Sequence, residues 1–226
     1  MTTEAEEQQL ALANDRTWVD LRLGDEPFDV INNVGSNLYR GGFGGDRGFL
    51  EPDRGQYQQP AEVFAWCGGA VLLKRSYLDQ VGLFDERLFL YYEDTDLSWR
   101  GRLQGWRYVY EPSSVVRHWH AQSSGVGSPT FRFYTERNRL LVLAKNAPAR
   151  LAIRAGLGEA RRFVRRTISA YILRPLRLQM PERHDSAHRR RVLASYVRLL
   201  PRMLRDRRAA KPTVDRQSLM SWEVFK

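Results

Sequence analysis

Cysteine is nearly absent from this 226-residue sequence: Cys67 stands alone. An intramolecular disulfide and any multi-cysteine zinc site are therefore excluded, and a reducing compartment suits the chain. Long apolar runs are missing too. No stretch approaches the roughly 18 residues a membrane-spanning helix needs. The polar start MTTEAEEQQ has no basic region followed by an apolar one, so no signal peptide is expected. Acidic residues are in deficit, 26 against 36 Lys and Arg, and the net charge of +10 calls for an anionic partner: nucleic acid, a membrane surface or a phosphorylated substrate. What is present, 42% hydrophobic residues and 12% aromatic ones, supplies one sizeable core and excludes disorder along the whole length.

The positive charge is concentrated. Residues 150–211 hold 17 Arg and one Lys against four acidic residues, so the rest of the chain is slightly acidic. EAEEQQLALAN suits a short helix. Residues 35–60, rich in Gly, read as a long loop or flap. VFAWCGGAVLLKR reads as strand around a glycine pair, and Ser76 with Asp79 suggests a capped helix reaching Gly82. Asp94 or Thr95 starts the helix DLSWRGRLQ, which stops at Gly105. RYVYEPSSVVRHW supplies two short strands broken by Pro112. TFRFYTERNRLLVLAKN has apolar residues at helical spacing and ends before Pro148. Alternating strands and helices point to an α/β domain.

The run CGGAVLLKRSYLDQVGLFDERLFLYYEDTDLSWRGRLQGWRYVYEPSSVVRHWHAQSSG, followed by YTERNRLLVLAKN, closely resembles the second half of family 2 glycosyltransferases. Its nearest likeness is to bacterial rhamnosyltransferase-like members that build cell-surface polysaccharides. The resemblance covers about residues 61–147, with a weaker echo in 30–60. It implies a partial GT-A-like, Rossmann-like α/β domain lacking most of the N-terminal nucleotide-binding half. The expected organisation is an N-terminal segment and Gly-rich loop (1–60), an acceptor and catalytic half (61–147), and basic helices with a mobile tail (148–226).

The resemblance also implies inverting transfer of a sugar from a nucleotide-diphosphate donor to a hydroxyl of a glycan or lipid-linked acceptor. Such a reaction takes a carboxylate base and a divalent cation, Mg or Mn, on the departing diphosphate. The roles carried over fall on Glu93 and Asp94, with Asp94 preferred as the base, and on His118 as a metal ligand. Asp94-Thr95-Asp96 is literally D-x-D, but it sits in the base motif and not where the family keeps its metal signature.

Each of the remaining candidates has a plainer alternative. Gly68 and Gly69 suit close approach of backbone to a ligand, or a bulge. Trp66 and Trp99 suit a sugar face, or the core. Asp85 and Glu86 fall in an acceptor-side loop by resemblance, or form a turn. Arg100 can orient the carboxylates or hold phosphate, or pair with Asp96 one helical turn away. Arg137 matches the family's Arg-Asn pair and is carried as a substrate-binding candidate. The loop 122–128 is a candidate lid.

Beyond Pro148, Val164, Ile168, Tyr171 and Ile172 share a helical face beside paired arginines, as in a basic helix lying on an anionic membrane surface; a helix packed on the domain is the alternative. The expected location is cytoplasmic and peripheral on the inner face of the membrane. No nucleic-acid motif is present, so no nucleic-acid partner is expected. A catalytically silent homologue that binds glycan or protein remains the competing function.

Overall fold

The structure, a computed structural model, describes residues 22–23, 26–27, 29–117, 127–173, 176 and 183–225. Among them it is a mixed α/β protein with small sheets and about half of its residues helical. The hairpin of β1 (Arg22–Leu23) and β2 (Glu26–Pro27) comes first. Next are β3 (Ser36–Tyr39), β4 (Phe43–Asp46) and β5 (Ala61–Val63), then α1 (Arg75–Val81), α2 (Glu93–Leu103) and β6 (Tyr108–Tyr110). Three long helices follow: α3 (Pro129–Asn146), α4 (Ala149–Ile168, continued by a π-helical turn Ser169–Leu173) and α5 (Arg183–Ala209). A 3-10 turn (Ser218–Trp222) leads into β7 (Glu223–Val224).

Residues 35–60 contain more order than a loop. β3 and β4 pair antiparallel about a turn in which Gly41 and Gly42 have φ of 84° and 73°. A Cβ on Gly42 would lie 2.4 Å from Leu143 Cδ2, so glycine is needed there both for the turn and for the approach to α3. What reads in sequence as interrupted periodicity is a tight hairpin pressed on a helix. A backbone bridge between Ser36 and Ala65 joins this sheet to the β5–β6 pair.

Among the described residues, which stop at Arg117 here, no second strand follows Pro112. Glu111 accepts hydrogen bonds from the backbone and hydroxyl of Ser113, which closes a turn, and Val115 and Val116 are exposed. In the VFAWCGGAVLLKR run, strand structure is confined to the start. α1 begins at Arg75 and not at a Ser76 cap, steadied by Arg75 and Asp79 at 2.8 Å, and ends at Gly82 with φ of 87°. α3 begins as its sequence dictates: Ser128 Oγ accepts the Phe131 N–H and Pro129 occupies the first turn. The EAEEQQLALAN segment lies outside the described residues.

The main core gathers Leu38 and Phe64, Trp99 and Leu103 of α2, Leu140 to Ala144 of α3, Val192, Tyr196, Leu199 and Met203 of α5, and Leu219. It therefore joins segments far apart in the chain, from β3 to the C-terminal 3-10 turn. A second cluster holds Val63, Trp66, Tyr77, Leu97 and Tyr108. α2 lies between the two, and a Cβ on Gly101 would sit 2.0 Å from the Tyr108 hydroxyl oxygen, so this helix position admits no larger residue without displacement.

The C-terminal segment is not a mobile tail. β7 adds to β3 in parallel, Leu219 is buried in the core, and the Arg102 guanidinium stacks over Trp222 at 4.4 Å. Thr213 and Val214 donate their backbone N–H groups to the Leu103 carbonyl at the end of α2. The polar spelling of residues 211–218 hides this, because the anchoring groups are a few apolar side chains and the backbone itself. Leu219→Ala is expected to lower the unfolding free energy by about 2–4 kcal/mol. That loss would appear as a lower urea midpoint at unchanged slope; a loose tail would leave the midpoint where it was.

Candidate active site

The site forms where the chain enters α2. Phe89, Tyr91 and Tyr92 all have φ in the left-handed region, 64°, 64° and 68°. Each such aromatic residue costs about 1–3 kcal/mol and persists only where its surroundings hold it. The restraint comes from α3. Asn138 Nδ2 is shared among the carbonyls of Leu88, Leu90 and Tyr91 at 2.8, 2.8 and 2.6 Å. Arg137 donates to the carbonyls of Arg87 and Leu88 at 2.8 and 3.0 Å, and through Nε to Asn138 Oδ1 at 2.8 Å, which fixes the orientation of the amide. On the other side, the Gly44 N–H of β4 donates to the Tyr92 hydroxyl at 3.3 Å.

This loop delivers Glu93 and Asp94 to the first turn of α2. Asp94 is half-buried. Its Oδ2 accepts the Gly68 N–H at 3.0 Å, and its Oδ1 accepts from the backbone and hydroxyl of Thr95 at 2.6 and 3.2 Å. Burial raises its pKa, and the hydrogen bonds from Gly68 and Thr95 work against that rise. Glu93 has fewer compensating contacts: its Oε2 is buried without a partner. Burial, then the adjacent Asp94 charge, pushes it up to about 7. The pair thus holds two carboxylates whose affinity for protons is higher than usual, the property a general base near neutral pH requires. Cys67 is no competing nucleophile, because burial pushes its thiol up to about 11.

Asp96 plays another part. It is fully buried and accepts from Arg100 Nε at 2.9 Å, Lys145 Nζ at 2.9 Å and Asn146 Nδ2 at 2.8 Å. The literal D-x-D therefore splits into one carboxylate held by the Gly68 and Thr95 N–H groups and one locked in the interior. Lys145 also reaches Asp85 Oδ2 at 2.7 Å. Burial works to raise Asp85, yet hydrogen bonds from Arg87 and Lys145 outweigh it and hold this carboxyl well below the usual range. Arg87 in turn pairs with Asp206 of α5.

The other candidates separate by position. Gly68 and Gly69 are exposed; Gly68 lies against Asp94, where a Cβ would stand at ordinary contact distance, 3.7 Å, from the carboxylate, so close packing does not demand glycine there. Trp66 is buried edge-on to Phe84, with ring centroids 6.2 Å apart, and Trp99 is fully buried edge-on to Phe64 at 5.4 Å. Trp99 thus sits in the core with no face open to a sugar. Arg100 takes the plainer of its two expected roles, pairing with Asp96 and donating to the carbonyls of Val81 and Leu83. Arg137 is only 6% exposed, its guanidinium turned towards loop carbonyls. Glu86 is exposed. Sequence reasoning missed Lys145 and Asn146, for which the available signal was a polar Lys-Asn ending an otherwise apolar helical run, and it noted Asn138 only as the partner of Arg137 in the Arg-Asn pair, with no role.

His118, the candidate metal ligand, and most of the loop 122–128 lie outside the described residues. Among those described, no group of three or more His, Cys, Asp or Glu is placed to hold a metal ion.

A carboxylate pair at a helix entrance, one member of it against the exposed Gly68 backbone, is an arrangement suited to deprotonating a hydroxyl. In sequence, part of the chain is related to a glycosyltransferase. Over 69 residues it is 48% identical to the N-acetylglucosaminyl-diphospho-decaprenol L-rhamnosyltransferase of Mycobacterium tuberculosis, in the strains CDC 1551 / Oshkosh and ATCC 25618 / H37Rv. That stretch is 30% of this chain and 22% of the relative, so the chain spans about a fifth of the length of the curated relatives it matches. No protein-family profile matches the chain, and no solved structure does.

Asn138→Leu should leave three loop carbonyls without their amide and lower stability by about 2–3 kcal/mol in urea unfolding; an unchanged midpoint would deny the loop its anchor. Glu93 generates a pH signature. Between about 4.5 and 7 the folded state keeps a proton that the unfolded chain has released. Its stabilising contribution is therefore full below 4.5 and is lost as pH rises through 7. Glu93→Gln is expected to flatten that decline when urea midpoints at about pH 5 and about pH 8 are compared.

Proposed function

We propose that this chain carries the acceptor-activating centre of an inverting glycosyltransferase, with Asp94 as the base. The observation that supports the reading is the placement of Asp94: half-buried, raised in proton affinity, and facing the Gly68 backbone at the mouth of α2. The donor is a nucleotide-diphosphate sugar and the acceptor a hydroxyl on a lipid-linked glycan, by analogy with the relative's decaprenol-linked substrate. The acceptor oxygen attacks the anomeric carbon from the side opposite the diphosphate. The new carbon–oxygen bond forms as the bond to phosphate breaks, the electron pair leaves with the nucleoside diphosphate, and the hydroxyl proton passes to Asp94. The Asp94 charge in turn adds to the raised proton affinity of Glu93 beside it. The product belongs to cell-surface polysaccharide assembly, and a rhamnose-type donor fits the relative's name.

Asp94→Asn tests the assignment. Transfer of labelled sugar from a nucleotide donor to a polyprenyl-diphosphate-linked N-acetylglucosamine should fall by about 10²–10⁴-fold, while circular dichroism and the urea midpoint stay close to those of the parent. Retained turnover would remove Asp94 as the base. Glycan binding by the parent with no turnover and no nucleotide affinity would favour the silent, binding homologue instead.

A further inference from the structure

α4 has two apolar faces. The inner one packs Leu151, Ala152 and Ala155 against the core and buries Glu159, which accepts from Arg162 at 2.8 Å and Arg189 at 2.9 Å. The outer one carries Ile153, Leu157, Val164 and Ile168, which are 61%, 67%, 51% and 42% exposed. At 3.6 residues per turn these four lie within roughly 60° of one another, on the side away from the core. The π-helical turn prolongs the apolar character with Tyr171, Ile172 and Leu173, all exposed. Along the edge of this stripe run Arg150, Arg154, Arg161 and Arg165, exposed and making no ion pair among the described residues. Packing therefore does not account for the outer face. A helix needed only for the core would carry polar residues there.

We infer that the outer face of α4 docks on an anionic phospholipid surface, with Ile153, Leu157, Val164 and Ile168 entering the headgroup boundary and the four arginines meeting lipid phosphates. Charge complementarity selects this occupant. An apolar stripe edged on one side by unpaired guanidinium groups matches an interface that is apolar in depth and negative at its rim. A second copy of this chain would bring its own arginines against these, at the cost of like-charge repulsion. No described helix is long and apolar enough to cross a membrane, so the contact lies along the surface. The inference is independent of Asp94, since it concerns a different helix and a different readout.

The test is co-sedimentation of the full chain with vesicles of phosphatidylcholine alone and of phosphatidylcholine mixed with phosphatidylglycerol. Binding is expected only to the mixed vesicles. Arg161→Gln with Arg165→Gln should weaken it by about 30-fold, and Leu157→Glu with Ile168→Glu should abolish it. All four side chains are exposed, so circular dichroism should be unchanged in both double variants. Failure of the parent to bind mixed vesicles overturns the inference. So does loss on the arginine exchange with none on the glutamate exchange, which would mean a purely electrostatic contact. Concentration-dependent dimerisation without lipid, abolished by Leu157→Glu, would assign the stripe to a second copy instead. Loss of vesicle binding in the α4 variants, with sugar transfer to a water-soluble acceptor intact, separates this result from any failure of the catalytic reading.

Discussion

The structure turns on a carboxylate that never meets water. Asp96 is enclosed between α2 and the end of α3, and Arg100, Lys145 and Asn146 supply its partners. An isolated buried charge would be prohibitive, and removal of one partner from such a group leaves the other uncompensated. The geometry of the three donors is thereby fixed, and so is the register of α2 against α3. Lys145 passes the constraint to Asp85, and Arg87 carries it on to Asp206 in α5. A chain of charges thus connects the entrance of α2 with the basic C-terminal helices.

Upon that register depends the loop before α2. Arg137 and Asn138 can gather the carbonyls of residues 87–91 only if α3 lies where the Asp96 cluster puts it. Held in this way, three aromatic residues adopt left-handed backbone conformations that they would otherwise leave. The outcome is that two adjacent carboxylates emerge together, one bound by Gly68 and Thr95 and one with an unpartnered buried oxygen. Their raised proton affinity comes from this enforced burial, with the adjacent Asp94 charge added at Glu93, not from any peculiarity of the residues themselves.

Arginine does two kinds of work in this protein. Arg102, Arg137 and Arg207 face inward and spend their guanidinium groups on carbonyls: Arg102 on those of Phe64 and Val63, Arg137 on the loop, Arg207 on Ala144 and Ala147 at the end of α3. The planar, multiply donating group satisfies several acceptors at once while its flat face stacks on aromatic rings such as Trp222. Among the described residues, the arginines on the outer face of α4 make no such contacts, which distinguishes exposed surface charge from the charge that builds the fold. Net charge alone mixes the two.

The sequence by itself determined the mixed α/β character, the long helix ending before Pro148 and the presence of Asp94 at the entrance of a helix. These depend on periodicity and on local turn and capping chemistry. It also allowed Arg100 to pair with Asp96, since one helical turn brings those side chains together. Only the tertiary structure decided that the Gly-rich stretch closes as a hairpin, that the C-terminal segment joins β3, that Trp99 lies in the core and that Asp96 is interior. Each of these follows from contacts between residues far apart in the chain, such as Gly42 with Leu143, Leu38 with Glu223 and Asp96 with Lys145, and no local pattern carries the free energy of such a contact.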